Sequence, residues 1–139
     1  MGLSAIGDES FSADSLANAF SSGKSLESIA IGSLVSQGLL SYLDKVVGHW
    51  PEFGRQGKGD TTIADLLRHE GGMASFDEAI DPNDLLATNL KNNEVGRFIE
   101  NHDQKFRPSG KRREYHAITR GWILNEVFRR VDPKNRTIG

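Results

Sequence analysis

The sequence contains no cysteine. That excludes a disulfide framework, thiolate metal sites, iron–sulfur clusters and a cysteine nucleophile. Charge of one sign is also lacking: 17 Lys and Arg face 19 Asp and Glu, a formal net charge of −2. The basic face that a nucleic-acid binder presents is therefore not expected. No run reaches the roughly 18 apolar residues of a membrane span. Met1–Ile6 has neither a charged n-region nor an apolar h-region, so no secretory leader is expected and the expected location is cytoplasmic. Position six is Ile6 and not Ser or Thr, which removes a myristoylation signal. What is present is one domain's worth of chain, 139 residues of which 37% are hydrophobic, long enough to bury a core without staples.

Residues 1–19 are small, polar and turn-rich. From Ser21 to Gln37 the apolar residues Leu26, Ile29, Ala30, Leu34 and Val35 recur at helical spacing, Ser21 or Ser22 stands where an N-cap belongs, and Gly38 where a C-cap belongs. Ile31 widens the apolar side, so the spacing predicts a central helix covered on most sides, with small residues such as Gly32 admitting close neighbours. Residues 39–60 read as an irregular connection pinned by Trp50 and Phe53. Thr61 or Thr62 caps a short helix through Ile63, Leu66 and Leu67 that Gly71-Gly72 stops. Asp81-Pro82 opens another over Leu85, Leu86 and Leu90, and a further one covers Glu94 to Asn101. The last helix starts near Tyr115 or His116; Leu124, Val127, Phe128 and Val131 form its stripe, Arg129-Arg130 suit its negative end, and Pro133 ends it. Trp50, Phe53, Trp122 and Phe128 are expected in the core. No strand is evident.

Several attractive strings fail. Gly23-Lys24-Ser25 imitates the end of a phosphate-binding loop, but Asn18 stands where the leading glycine is required. His69-Glu70-Gly71-Gly72 begins like a zinc-protease helix, but Met73 occupies the second histidine position and two glycines interrupt it. No Gly-x-Ser-x-Gly elbow exists. Lys111-Arg112-Arg113 reads as a solvated turn, and His49, His102 and His116 as structural or exposed.

Ser21-Ser22-Gly23-Lys24 survives. Residues i and i+3 share a helix face, so the amine of Lys24 can approach the hydroxyl of Ser21. The helix N-terminus favours a developing alkoxide, and a serine nucleophile needs an adjacent base, a part a desolvated lysine can play. Ser-x-x-Lys alone is weak, since a plain helix start explains the same residues.

The surroundings add to it. Phe20–Ser25 running into an apolar helix, followed by Val35-Ser36-Gln37-Gly38-Leu39-Leu40-Ser41-Tyr42-Leu43-Asp44-Lys45-Val46, resembles the nucleophile helix and following turn of the serine β-lactamase-like superfamily. Trp50-Pro51-Glu52-Phe53 and Thr62–Gly72 are similar to its next two segments, and Tyr115-His116-Ala117-Ile118-Thr119-Arg120-Gly121-Trp122 to its tyrosine motif and helix, in the branch of class C β-lactamase-related esterases.

The resemblance implies a mainly α chain: the helical subdomain of the β-lactamase/transpeptidase-like α+β fold, with most of the antiparallel sheet missing. Residues 1–139 would form a partial domain with a nucleophile helix about 21–37 and a tyrosine helix about 115–131. It implies Ser21 as nucleophile, Lys24 as its base partner and Tyr115 as second proton-transfer group, acting on a small-molecule ester or amide through an acyl-enzyme. It calls for no metal and no organic cofactor. Two departures matter. Ala117 replaces the asparagine usual two positions after the tyrosine, which points to esterase-like chemistry. No Lys-[Ser/Thr]-Gly or His-[Ser/Thr]-Gly string occurs, so the strand that supplies one oxyanion donor is missing, a loss worth about 10²–10³ in turnover. The expectation is a truncated serine hydrolase with little or no activity alone; the alternative is a noncatalytic helical binding module or partial gene product. Faces left bare by the absent sheet are expected to expose apolar area and allow self-association.

Overall fold

A computed structural model describes residues 14–138; most of the turn-rich lead-in falls outside them. Five α-helices follow in order: α1 (Lys24–Ser36), α2 (Ile63–Leu67), α3 (Ala87–Lys91), α4 (Glu94–Asn101) and α5 (Thr119–Val131). Tighter 3-10 turns occupy Phe20–Gly23, Val46–Gly48, Pro51–Asp60 and Pro82–Leu85. Extended pairing among the described residues is limited to an isolated antiparallel bridge between Lys45 and Thr62. The mainly α reading therefore holds.

α1 ends as its glycine predicts. Gly38 takes φ +70°, the Gly38 amide donates to the Val35 carbonyl and the Leu39 amide to the Leu34 carbonyl, the paired bonds of a Schellman stop. Its start differs from the expectation. Neither Ser21 nor Ser22 caps it through the side chain; both lie in the Phe20–Gly23 turn, whose Ser21 and Ser22 carbonyls receive the Lys24 amide. Only Ile31 and Leu34 of α1 are buried, while Leu26 and Ile29 are each 66% exposed. Among the described residues the helix is thus covered on one side, by α5, and bare on the other. The two helices approach so closely that a Cβ on Gly121 would lie 2.8 Å from the Glu27 carboxylate.

α2 starts on a complete capping box: Thr62 Oγ1 accepts from the Asp65 amide and the Asp65 carboxylate accepts from the Thr62 amide. The connection before it is more regular than its composition suggests, with Trp50 and Phe53 fully buried, their rings 5.2 Å apart, and the Trp50 indole donating to Glu100 of α4 across 2.8 Å. Burying each such aromatic contributes about 2 kcal/mol. Lys58, fully buried, donates to the carbonyls of Glu100 and His102 and so closes the end of α4. Desolvation pulls its ammonium down to about 8, against the pull of Asp103 and Glu100.

α4 keeps its expected bounds, but α5 begins at Thr119, four residues after Tyr115. The reason is local: the amides of Glu114 and His116 donate to His69, and the Thr119 hydroxyl donates to the Met73 carbonyl, so this segment is tied sideways and cannot wind early. Ile123, Leu124 and Val127 enter the core with Ile31, Leu34, Ile63, Leu66, Met73, Val95 and Ile99. Trp122 and Phe128 pack against it half-buried. Arg129 and Arg130 do not simply face the negative helix end; both turn onto the buried carboxylate of Glu126 and the side chain of Asn93.

Candidate active site

The turn before α1 and the segment before α5 meet at one polar junction. Phe20, directly before the serine, holds φ +43°, an uncommon conformation for a bulky residue, and its amide is taken by Asn18 Oδ1 at 2.8 Å. Ser21 is thereby presented on an exposed turn ahead of the helix. The Tyr115 hydroxyl donates to Ser21 Oγ across 2.6 Å. Lys24, the first residue of α1, sets its ammonium 5.2 Å from the centre of the Tyr115 ring and donates to the Ala117 carbonyl. The three residues singled out from the sequence are therefore together. Their order differs from the expectation: the partner in hydrogen-bond contact with Ser21 is Tyr115, and Lys24 reaches the tyrosine segment.

The Tyr115 phenol is held below its ordinary value, first by the Ser21 hydroxyl, which can turn to donate to a phenolate, and then by the charge of Lys24, against an opposing desolvation. The side chain is 54% exposed, so the group is reachable from solvent.

Two further residues organise the junction. Arg120 is buried on α5 and spends its guanidinium on three acceptors in α1 and α2: Nε donates to Glu27 Oε2 at 3.0 Å, Nη2 to the Lys24 carbonyl at 2.8 Å, and Nη1 to the Leu67 carbonyl at 3.1 Å. His69 sits behind Tyr115 with ring centres 4.7 Å apart. Its imidazole is pushed down to about 4, chiefly by burial and next by the charge of Arg120. His116 is fully buried; its Nδ1 meets the Glu114 carbonyl at 2.6 Å while Nε2 accepts from the Met73 amide at 3.0 Å. Burial lowers its imidazole as well. Glu70, nearly fully buried, accepts from Arg68 and from Arg113, so the basic run at 111–113 is solvated yet anchored.

Sequence reasoning passes over Arg120 and His69. A signal for the first exists: one helical turn back from Leu124 and Val127, Arg120 falls on the buried stripe, and a charge there requires a partner. His69 hides inside a string dismissed for its failed zinc spacing. Among the described residues no group of His, Asp and Glu could hold a metal, and no helix is long and apolar enough to cross a membrane.

Beside Lys24 a trench of about 540 Å³ runs between α1 and α5, lined in part by Leu26, Leu90, Val95, Ile118 and Trp122. Its polar wall groups are engaged: Lys24 with Ala117, Glu27 with Arg120, and Asn125 Oδ1 with the Ile138 amide. The open surface is mainly apolar.

A helical scaffold thus brings a serine, a lysine and a tyrosine to one exposed junction. The Beta-lactamase family model matches residues 2–138, and the chain belongs to that family. It is 32% identical over 125 residues to the esterase/beta-lactamase LipL of Mycobacterium tuberculosis (strain ATCC 25618 / H37Rv), covering 90% of this chain and 28% of that protein. A crystal structure of a family VIII carboxylesterase superposes with TM-score 0.73 at 32% identity, over 86% of this chain and 31% of the other. A penicillin-binding protein homologue from Caulobacter crescentus gives 0.72 at 33% identity, over 86% and 30%. The chain thus spans less than a third of the length of these relatives.

Proposed function

We propose that this chain carries the acyl-accepting centre of an esterase-type serine hydrolase. Ser21 Oγ attacks the carbonyl carbon of a small ester, forming a C–O bond while the serine proton passes to Tyr115. Tyr115 then returns a proton to the departing alcohol as the ester C–O bond breaks, leaving an acyl group on Ser21 that water removes. Lys24 supplies the positive charge that favours the phenolate form of Tyr115. The hydrogen bond from Tyr115 to Ser21 carries this reading. The trench beside Lys24 suits an ester with an aliphatic or aromatic group, because Leu26, Leu90, Val95, Ile118 and Trp122 make much of its wall apolar.

Ala117 in place of an amide side chain favours esters over lactams. The sequence holds no Lys-[Ser/Thr]-Gly or His-[Ser/Thr]-Gly string, so within this chain the Ser21 amide is the available oxyanion donor. One missing donor lowers turnover about 10²–10³-fold. That loss slows acylation and deacylation alike, and exposure to a fluorophosphonate followed by intact mass measurement tests whether Ser21 is the nucleophile. The second reading is a noncatalytic helical module, favoured by the bare strip of Leu26 and Ile29; it predicts no adduct and self-association through that strip.

A further inference from the structure

The segment that carries Tyr115 is neither helix nor strand, yet its tyrosine is aimed at Ser21. Both of its immediate neighbours are held by a single residue. The Glu114 amide donates to the His69 carbonyl at 3.0 Å, and the His116 amide donates to His69 Nδ1 at 2.9 Å. The His69 ring lies against the Tyr115 ring, 4.7 Å between centres. From these contacts we infer that His69 is a positioning residue for the site. It seats Tyr115 by holding the amides of the two residues that flank it and backing the ring, and it does so only as a neutral imidazole with an unprotonated Nδ1. The inference rests on the reading of Tyr115 as the partner of Ser21.

The clamp demands one tautomer. With Nδ1 accepting from His116, the proton of neutral His69 belongs on Nε2. The 3.4 Å separation of Nε2 from Arg120 Nη1 is then a contact between two donors, longer and weaker than the bond at Nδ1. A second proton on His69 would face the His116 amide. It would also face positive charge from Arg120 on α5, from Lys24 on α1 and from Arg113 in the preceding segment, with the His116 imidazole opposing it as well, and no carboxylate pairs with it among the described residues. The backbone is built for the same purpose: His69 takes φ +62°, which turns its carbonyl toward Glu114 while its side chain reaches His116. Glu70, next in sequence, ties Arg113 to the same ledge.

The test separates the acceptor from the ring and from catalysis. His69→Gly keeps the left-handed backbone and its carbonyl without strain while deleting the side chain; His69→Asn also tolerates that backbone and restores an acceptor near Nδ1. Tyr42 and Tyr115 are the two tyrosines, so in a Tyr42→Phe background the carbon-13 signal of the tyrosine ring reports Tyr115 alone. Its phenol is expected to titrate below a free tyrosine in the parent, to move up toward the free value in His69→Gly, and to stay near the parent in His69→Asn. Labelling of Ser21 by a fluorophosphonate should slow by about 10-fold or more in His69→Gly and recover in His69→Asn. An unchanged phenol titration in folded His69→Gly overturns the inference, as does an equal loss in His69→Asn. If His69→Gly does not fold, the nitrogen-15 signals of His69 in the native protein decide: Nδ1 bare and Nε2 protonated supports the clamp, and the opposite tautomer overturns it. A parent that is never labelled defeats the esterase reading, yet leaves the phenol titration and the tautomer to judge the clamp.

Discussion

Tyr115 and Ser21 lie 94 positions apart in sequence and 2.6 Å apart at their hydroxyls. That bond is made by two exposed side chains, so it adds little to stability. Tyr115→Phe is expected to leave the denaturant midpoint nearly unchanged, within about 0.5 kcal/mol. The same change should slow acylation of Ser21 by roughly 10²–10⁴-fold, the usual worth of a proton-transfer group. Stopped-time labelling with an activated ester and urea unfolding measure the two effects separately.

Arg120 carries the opposite signature. It joins Glu27, the Lys24 carbonyl and the Leu67 carbonyl from a buried position. Arg120→Met leaves the Glu27 carboxylate without its partner at the α1–α5 contact and should destabilise the fold by about 3 kcal/mol. Arg120→Lys should restore little, since one ammonium cannot span three acceptors set at different angles. Chemical denaturation of both variants checks this.

Gly72 tests how the ledge behind Tyr115 is held up. It has φ +70°, and a Cβ there would lie 2.1 Å from the Phe106 carbonyl oxygen. Gly72→Ala must displace the 104–106 segment, whose Lys105 amide donates to the Gly72 carbonyl and whose Gln104 side chain donates to Gly71 and Thr61. A loss of about 2 kcal/mol or more is expected. An unaltered thermal midpoint would show that the loop is not packed as described.

The pH dependence of stability follows from His69 and His116. Both imidazoles are depressed in the folded protein, His69 to about 4 and each mainly by burial, whereas an unfolded histidine titrates near about 6.5. As pH falls below the unfolded value the unfolded chain binds protons that the folded chain refuses. The contribution of His69 is therefore fully present above about 6.5 and is lost progressively as pH drops from there toward about 4, and that of His116 is lost in the same direction. Urea midpoints taken at intervals across that window should decline, and His69→Asn should flatten the decline.

The bare strip on α1 makes a separate prediction. Leu26 and Ile29 are each 66% exposed and Phe20 82%, a concentration of apolar surface that favours association. Replacing Leu26 and Ile29 together by glutamate should lower the sedimentation coefficient at high protein concentration. A wild-type chain that sediments as a monomer at every concentration would count against the strip as a contact surface.

Much of this architecture is written in short-range chemistry. The Gly38 stop, the threonine cap of α2 and the bounds of α4 each depend on residues within a few positions of one another and are visible in the sequence, although the choice of Thr62 over Thr61 and its pairing with Asp65 come from the structure. So is the grouping of Ser21, Lys24 and Tyr115, because their neighbours resemble a known order of motifs. What escapes is set by partners far along the chain. α5 starts at Thr119 because Glu114 and His116 are held by His69, a dependence no local pattern reveals. Lys24 turns to Ala117 and not to Ser21 because the tyrosine segment arrives beside it. Arg129 and Arg130 read as helix-end charges, yet they fold back onto Glu126 and Asn93 once α4 packs against α5. Leu26 and Ile29 share helical spacing with Ile31 and Leu34 but not their burial, since periodicity reports an apolar face without saying what covers it.

The central claim is that Ser21 is a nucleophile activated by Tyr115. Intact mass spectrometry after treatment with a fluorophosphonate measures it most directly. The account predicts a single adduct located to Ser21 by peptide mapping, absent in Ser21→Ala and strongly slowed in Tyr115→Phe. A chain that gains no adduct while folded, or gains it equally in Ser21→Ala, would contradict the account.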